Sequence, residues 1–330
     1  MKIAIANTTF SSEIDAWVNY CNNNNIEVKL VNPYDDNIVE NVSDCDIFMW
    51  HHSQVSFKDV LFAKQLLFSL QQAGKIVYPN FNSNWHFDDK LGHKYLLEAI
   101  KAPIVRSYVF YDKKEALTWA KNTTYPKVFK LRCGAAATNV QLIKSYSKCK
   151  KYINKAFDNG FQAYPYNVLK ETVRKIFSYF SRKEISVKFN NEKGYIYFQD
   201  FMPNNNYDTR VVVVDGMYAC AERRLNRKND FRASGSGNFT FDNIDINIIE
   251  IAFNVAKQLN VQSIAYDFVY DASKKPKIVE ICFGFGTKGI SQCPGYYTDD
   301  LKWHKCDNIS IYEWIIDRVV LEYKDKCGLC

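Results

Sequence analysis

The chain has 330 residues, 47% of them hydrophobic, and a formal net charge of +7, enough apolar material for two or three packed cores. Its apolar runs fall far short of the roughly 18 residues of a membrane helix, and the opening "MKIAIANTTFSSEIDAW" reaches Glu13 and Asp15 too early for a signal peptide. Ten scattered cysteines read as reduced thiols rather than a disulfide framework, which predicts a soluble cytoplasmic protein.

Strand and helix alternate over the first 84 residues. "KIAIA" reads as a strand, "SSEIDAWVNYCNN" as a helix behind a serine cap, and "IEVKLVNP" and "CDIFMW" as further strands. "VSFKDVLFAKQLLFSLQQAG" is a long amphipathic helix ending at Gly74, and "KIVYPN" is the strand after it. This βαβ alternation predicts a parallel α/β unit over residues 1–84. No G-x-G-x-x-G marks it as a dinucleotide site. "WHHS" at 50–53 follows a predicted strand, where open α/β sheets bind ligands, so His51 and His52 either meet a substrate or serve the structure.

From residue 85 the pattern changes. "FDDKLGHKYLLEAIKAP" is a helix stopped before Pro103, and "KKEALTWAKN" is another. In the strand "KVFKLRCG", Val128, Lys130 and Arg132 share one face, Phe129 and Leu131 the other. A cationic row leading into Gly134 and the turn "CGAAATN" suits phosphates, whose oxygens approach backbone N–H groups there. An amphipathic edge strand is the competing reading. Residues 145–190 are polar and basic, with an amphipathic helix around "YNVLKETVRKIFSYFSRK". Such basic density favours acidic partners; with no nucleic-acid motif, a nucleotide or small anion is the economical one. "YIYFQDFM" is a strand, and "DTRVVVVDGMYACAERRL" a hairpin turning at Asp215 and Gly216. The loop "NDFRASGSGNF" and a helix over "INIIEIAFNVAKQLN" lead to a last strand pair, "IAYDFVY" and "KIVEIC".

That pair carries two carboxylates among apolar residues. Asp267 shares a face with Ala265 and Val269, and Glu280 with Ile278 and Cys282. If Tyr270 pairs with Lys277, Asp267 falls opposite Glu280. Opposed like charges are destabilising, and close carboxylates force one to keep its proton. A hard cation such as Mg²⁺ removes the conflict. A solvated outer face, or one neutral carboxylic acid, are the alternatives.

The order of Lys90, Lys130, "FQDFM", "YDTRVVVVDG", Arg224 before "NDFRASGSG", "YDFVY" and "IVEIC" resembles the ATP-grasp superfamily, and within it the RimK-like carboxylate–amine ligases, over residues 75–290. The resemblance implies a mixed α/β and α+β fold. An N-terminal parallel α/β domain (1–84) would precede a two-part ATP-grasp fold with antiparallel sheets, divided into a nucleotide-binding part (85–200) and a metal and substrate part (201–330). It assigns ATP phosphates to Lys90 and Lys130, and adenine to the hinge of Gln199, Asp200, Phe201 and Met202. It assigns ribose to Asp208, phosphate and acyl-phosphate to Arg210, Arg224 and Arg232, and Mg²⁺ to Asp267 and Glu280. The family writes E-x-N where this chain has Glu280–Ile281–Cys282, and a thiol is a poor ligand for Mg²⁺. Ser234 replaces the asparagine of FR-x-N, and the phosphate loop is alanine-rich from Ala135 to Ala137.

"CPGYYTDDLKWH" and "VEICFGFG" are similar to ATP-grasp proteins of bacterial surface-polysaccharide loci. That similarity implies a sugar carboxylate such as a hexuronic acid, free or on a sugar nucleotide, joined to an amine for capsule or O-antigen. A peptide-modifying ligase, a kinase that stops after phosphoryl transfer, and a nucleotide-binding regulator are the other classes. Tyr296, Tyr297, Trp303 and His304 would serve a sugar or an ordinary core equally well. The closing "CGLC" (Cys327, Cys330) reads as tail, since no second pair completes a zinc site.

Overall fold

The computed structural model describes residues 1–8, 13–134, 139–162 and 191–328. The serine cap before the first helix, the Ala135–Ala137 turn, the basic helix expected around 166–183 and Cys330 lie outside the described residues. The N-terminal strands β1 (Lys2–Ala6), β2 (Glu27–Val31), β3 (Ile47–Met49) and β4 (Ile76–Tyr78) form a parallel sheet in the order β2-β1-β3-β4. Helices α1 (Ile14–Asn23), α2 (Ile38–Asn41), α3 (Phe57–Gln72) and α4 (Phe81–Asn84) connect and flank it. Ser56 caps α3 by accepting from the Asp59 N–H, and Gly74 leaves it at φ +87°. α5 (Lys90–Ala99) is capped by Asp89, which accepts from the N–H groups of Leu91 and Gly92.

A second, antiparallel sheet has the order β5-β10-β6-β7: Ser107–Phe110, Ile196–Asp200, Lys127–Lys130 and Val140–Ile143. β6 is therefore interior, so the edge-strand explanation of its lysines fails. Helices α6 (Lys113–Asn122) and α7 (Tyr146–Asp158) pack on it through Ala116, Ala120, Cys149 and Ile153 against Phe129 and Phe198. A short ribbon of β8 (Phe161–Gln162) and β9 (Asn191–Glu192) stands beside it.

The largest sheet runs β15-β14-β11-β12-β16-β17, with β13 (Phe239–Thr240) on β12. These strands are β11 (Tyr207–Val214), β12 (Tyr218–Leu225), β14 (Ser263–Tyr270), β15 (Pro276–Cys282), β16 (Gly295–Thr298) and β17 (Trp303–Lys305). β11 and β12 are joined by the three-residue turn 215–217, with Asp215 and Gly216 both at positive φ (52° and 64°), as short hairpin loops require. The run Val211–Val214 is fully buried because the sheet is covered on both faces. Val211 and Val213 pack on α8 (Ile246–Leu259), whereas Val212 and Val214 join Ile3, Ile5 and Tyr78 of the first sheet. The final helix α9 (Ile311–Lys326) completes that shared core with Ile315, Ile316 and Val319. Trp17 Nε1 donates to the Tyr312 carbonyl, and Tyr20 to Asp317.

The hairpin of β14 and β15 corrects one expectation in detail. Tyr270 pairs with Pro276 and Phe268 with Ile278, and the register then shifts so that Asp267 faces Glu280. The extra residue, Val279, is a β-bulge. It turns Ile278 into the core with Phe268 and Tyr266, so Ile278 does not share a face with Glu280 as strict alternation implied. Among the described residues no helix is long and apolar enough to cross a membrane.

Candidate active site

One face of the large sheet changes character along its strands. Near the turn of β11 and β12 it is apolar, with Val212, Val214, Cys220 and Ala265. Two residues further on each strand, the same alternation presents Arg210, Glu222 and Asp267, then Asp208 and Arg224. This charged stretch floors a cleft of about 340 Å³, roofed by β6 and β10 of the second sheet. Lys90, Lys130, Gln199, Asp200, Phe201 and Met202 line it, and so do Asp208, Arg210, Arg232, Asp267 and Glu280. Of the twelve residues expected at the site, only Arg224 is outside that lining, and it is tied in by Asp208 and Asp267.

The charges are paired. Arg210 makes a bidentate pair with Asp267 (2.8 and 3.0 Å), and Arg224 reaches the same carboxylate at 2.7 Å. Arg224 also holds Asp208 through two bonds of 2.7 Å. Burial works against the Asp267 carboxylate, but the two guanidiniums hold it well below the usual range. Asp208 is pushed up by burial, against the pull of Arg224. Both oxygens of Asp208 are engaged by Arg224, so its part in ribose binding would require releasing one of them. Arg232 is paired with Asp230, Nη2 to Oδ2 at 2.6 Å.

The two lysines differ. Lys90, at the start of α5, contacts Glu280 Oε1 at 3.0 Å and donates to the Gly134 carbonyl at 2.8 Å. Burial disfavours its charge, but the carboxylates of Glu280 and Asp88 outweigh it and raise its pKa. Lys130 has an amide for its partner, Gln199 Oε1 at 2.7 Å. Burial, reinforced by Lys90, pulls it down to about 8 against the attraction of Glu280. The Gln199 side chain also donates to Ser107 Oγ at 3.2 Å, and Asp200 pairs with Lys127 at 2.6 Å. The side chain expected to read adenine is thus part of the lysine's mount.

Asp267 and Glu280 face each other as expected, but their repulsion is already relieved by Arg210, Arg224 and Lys90 rather than requiring a metal. Among the described residues no three or more His, Cys, Asp or Glu side chains gather as a metal cage. Two opposed carboxylates at a phosphate-sized cleft still fit Mg²⁺, which commonly takes one or two protein carboxylates and leaves its other positions to phosphates and water. Cys282 lines the cleft, with burial and Glu280 pushing its thiol up to about 12; a protonated sulfur adds nothing to that oxygen set.

Sequence reasoning missed two acidic groups. Glu222 faces Arg210 across β11 and β12, 4% exposed, with Oε2 lacking a hydrogen-bond partner among the described residues. Burial raises its pKa. A side chain at Gly289 would run into its carboxylate, so a loop bare of Cβ covers it. Glu13 is the other. It meets His51 Nδ1 at 3.2 Å in a second cavity of about 370 Å³. Gln54, Gly284, Phe285 and Gly286 line both cavities, so the two adjoin. His52 is structural: 2% exposed, it bonds Asn84 Oδ1 at 2.7 Å and packs on Phe87 and Phe283. Tyr296, Tyr297, Trp303 and His304 line neither cavity; Tyr296 stacks on His304, and Tyr297 meets Trp303 edge to face.

Residues 88–298 match the RimK-like ATP-grasp domain. No curated protein matches the sequence. The fold is similar to that of D-cycloserine synthetase DcsG, with a TM-score of 0.63 at 11% identity, over 98% of this chain and 100% of that one. A RimK domain ATP-grasp protein from Sphaerobacter thermophilus DSM 20745 has a TM-score of 0.60 at 13% identity, covering 97% and 100%. ATP-grasp ligase PsnB, in complex with a minimal precursor, also has a TM-score of 0.60 at 13% identity, covering 97% and 98%.

Proposed function

This chain belongs to the RimK-like ATP-grasp family of ligases, and we propose that it joins a carboxylate to an amine through an acyl-phosphate, with ADP and phosphate as products. The observation that carries the proposal is the arrangement of cations. Lys90, Lys130 and Arg210 line one cleft, Arg224 is tied to it through Asp208 and Asp267, and a second cavity adjoins it. In this reading Phe201 and Met202 border the base of ATP and the lysines hold its phosphates. Arg210, Arg224 and Arg232 neutralise charge as the γ-phosphoryl group passes to a carboxylate oxygen, where positioning and electrostatics supply most of the catalysis. Mg²⁺, held by Asp267 and Glu280, would neutralise phosphate oxygens there. The amine then displaces phosphate.

For the carboxylate we propose a hexuronic acid, as a sugar or sugar nucleotide, in surface-polysaccharide synthesis. The similarity of "CPGYYTDDLKWH" and "VEICFGFG" to proteins of such loci supports it, as do the hydroxyl, amide and cationic groups of Ser53, Gln54, Thr287 and Lys288 in the second cavity. The aromatic residues at 296–304 line neither cavity, Trp303 and His304 being exposed on β17, so they are not part of this sugar site. The test measures ADP release across uronic acids, amino acids and peptides, each with and without an amine, with mass analysis of products. Release dependent on both a uronic acid and an amine supports the reading. A carboxylate phosphorylated without amine makes the protein a kinase, and a modified peptide moves it to the peptide-directed ligases.

A further inference from the structure

We propose that Glu13 and His51 form a proton-accepting dyad for the amine, with His51 Nε2 taking a proton from the ammonium group and Glu13 positioning the ring. The inference rests on the ligase reading above. Glu13 follows β1 and His51 follows β3, and these neighbouring parallel strands are where the sheet order β2-β1-β3-β4 reverses direction. Open α/β sheets bind ligands outside the carboxyl ends of strands at such a switch point. Here that crevice is the second cavity, and it runs into the phosphate end of the cleft through Gly284–Gly286.

The dyad's geometry sets the tautomer. Glu13 is 1% exposed and lies 3.2 Å from His51 Nδ1. A carboxylate there calls for a hydrogen on Nδ1, which leaves Nε2 as the acceptor. The other face of the ring packs edge-on against Phe283. Burial lowers the imidazole's pKa, against the pull of Glu13, so the ring is neutral and ready to accept at neutral pH. The remaining titratable groups that line the cavity are His52, itself pulled down by burial, Lys288 and Tyr312.

An amine at neutral pH is an ammonium ion with no lone pair, so the acyl-phosphate waits on a proton acceptor. One proton passes to His51 Nε2, and the imidazolium formed is stabilised by Glu13. The freed nitrogen lone pair forms the C–N bond. The bond between the acyl carbon and the phosphate oxygen breaks, and phosphate leaves with that electron pair and takes the second nitrogen proton. Glu13 is a positioning residue, His51 the catalytic one.

The experiment compares two nucleophiles for the full-length protein with ATP, Mg²⁺ and the uronic and amino acid panel. Glycine must be deprotonated; hydroxylamine is already uncharged at neutral pH. Changing His51→Gln is expected to lower the glycine rate about 100-fold or more relative to the hydroxylamine rate, the range of general-base catalysis, with part of the loss recovered as pH rises. Equal losses with both nucleophiles, or none, overturn the dyad. A wild-type protein that makes no hydroxamate from any carboxylate refutes the ligase reading instead. In that event ¹⁵N-histidine NMR at pH 7.5 still decides: an Nδ1–H, Nε2-free ring that changes tautomer balance in Glu13→Gln supports the dyad. An Nε2-protonated ring overturns it.

Discussion

Lys130→Met separates the lysine's work on ATP from its cost to the fold. The side chain is 4% exposed, and burial beside Lys90 brings its pKa from 10.5 to about 8. At about 1.36 kcal/mol for each pH unit, holding the ammonium there costs the folded state about 3 kcal/mol at pH 7. Methionine fills similar space without charge, but strands the Gln199 oxygen that now accepts from Nζ at 2.7 Å, a loss of about 1–3 kcal/mol. The variant is therefore expected to be as stable as the parent or up to about 2 kcal/mol more stable at pH 7, while ATP affinity falls about 10- to 100-fold with the lost charge-assisted contact. The pH dependence has a definite sign. The folded-state pKa lies below the unfolded one, so between pH 8 and 10.5 the unfolded chain binds more protons and the parent gains stability with pH. The variant's advantage should be full below pH 8 and gone by 10.5. Urea unfolding at pH 7, 8, 9 and 10 measures it, with ATP titration by calorimetry on the same samples. A variant clearly less stable at pH 7, or a gap that does not narrow over that window, would refute the reasoning.

Lys90→Met should behave in the opposite way, losing about 1–2 kcal/mol because it strips Glu280 of its partner; unfolding at pH 7 checks it, and ATP titration should show weaker binding. Glu280→Gln should abolish ADP formation at every Mg²⁺ concentration, whereas Cys282→Ser keeps most of it and Cys282→Asn shifts the Mg²⁺ midpoint downward. A dead Cys282→Ser would give the thiol a chemical role. Acid should cost the protein stability through histidine. His52 and His93 are lowered to about 3 by burial, and His86 is also lowered. The stability their neutral forms preserve is complete above pH 6.5 and is lost as pH falls toward 3, by up to about 1.4 kcal/mol per pH unit for each ring. Replacing His93 with Phe should flatten that slope in unfolding curves between pH 7 and 4.

Local pattern carried the architecture wherever one face or both faces of an element set its composition. The βαβ alternation and the Asp215–Gly216 turn were readable from period and turn chemistry, whereas the opposition of Asp267 to Glu280 was reached from a turn register one residue off, which the bulge at Val279 makes good. Helix α7 was not. It buries only a narrow stripe around Cys149, Ile153 and Ala156, so the lysines of its outer face dominate the sequence and the segment reads only as polar and basic. The bulge at Val279 carries no residue signal, since any side chain tolerates it when the flanking register is fixed elsewhere. The charge pairing was hidden for a different reason. Arg210 and Asp267 are 57 residues apart, and only the order of β11 and β14 in the sheet makes them neighbours. Glu13 and His51 were each visible, but their meeting depends on β1 and β3 lying side by side.

Helix α9 has a consequence for how the chain is made. It supplies Ile315, Ile316 and Val319 to a core whose other wall is β1 and β3. During synthesis Trp17 and Cys21 of α1 can cover part of that face early, but the part under α9 stays bare until roughly 300 further residues have followed. Closing a loop of that length adds only modestly to the entropic cost, because the cost grows with the logarithm of length. The time is the larger matter: at about 5–20 residues per second the exposed face persists for tens of seconds. That leaves the nascent N-terminal sheet exposed in the meantime, and it ties the assembly of the second cavity, which Tyr312 lines, to the arrival of α9.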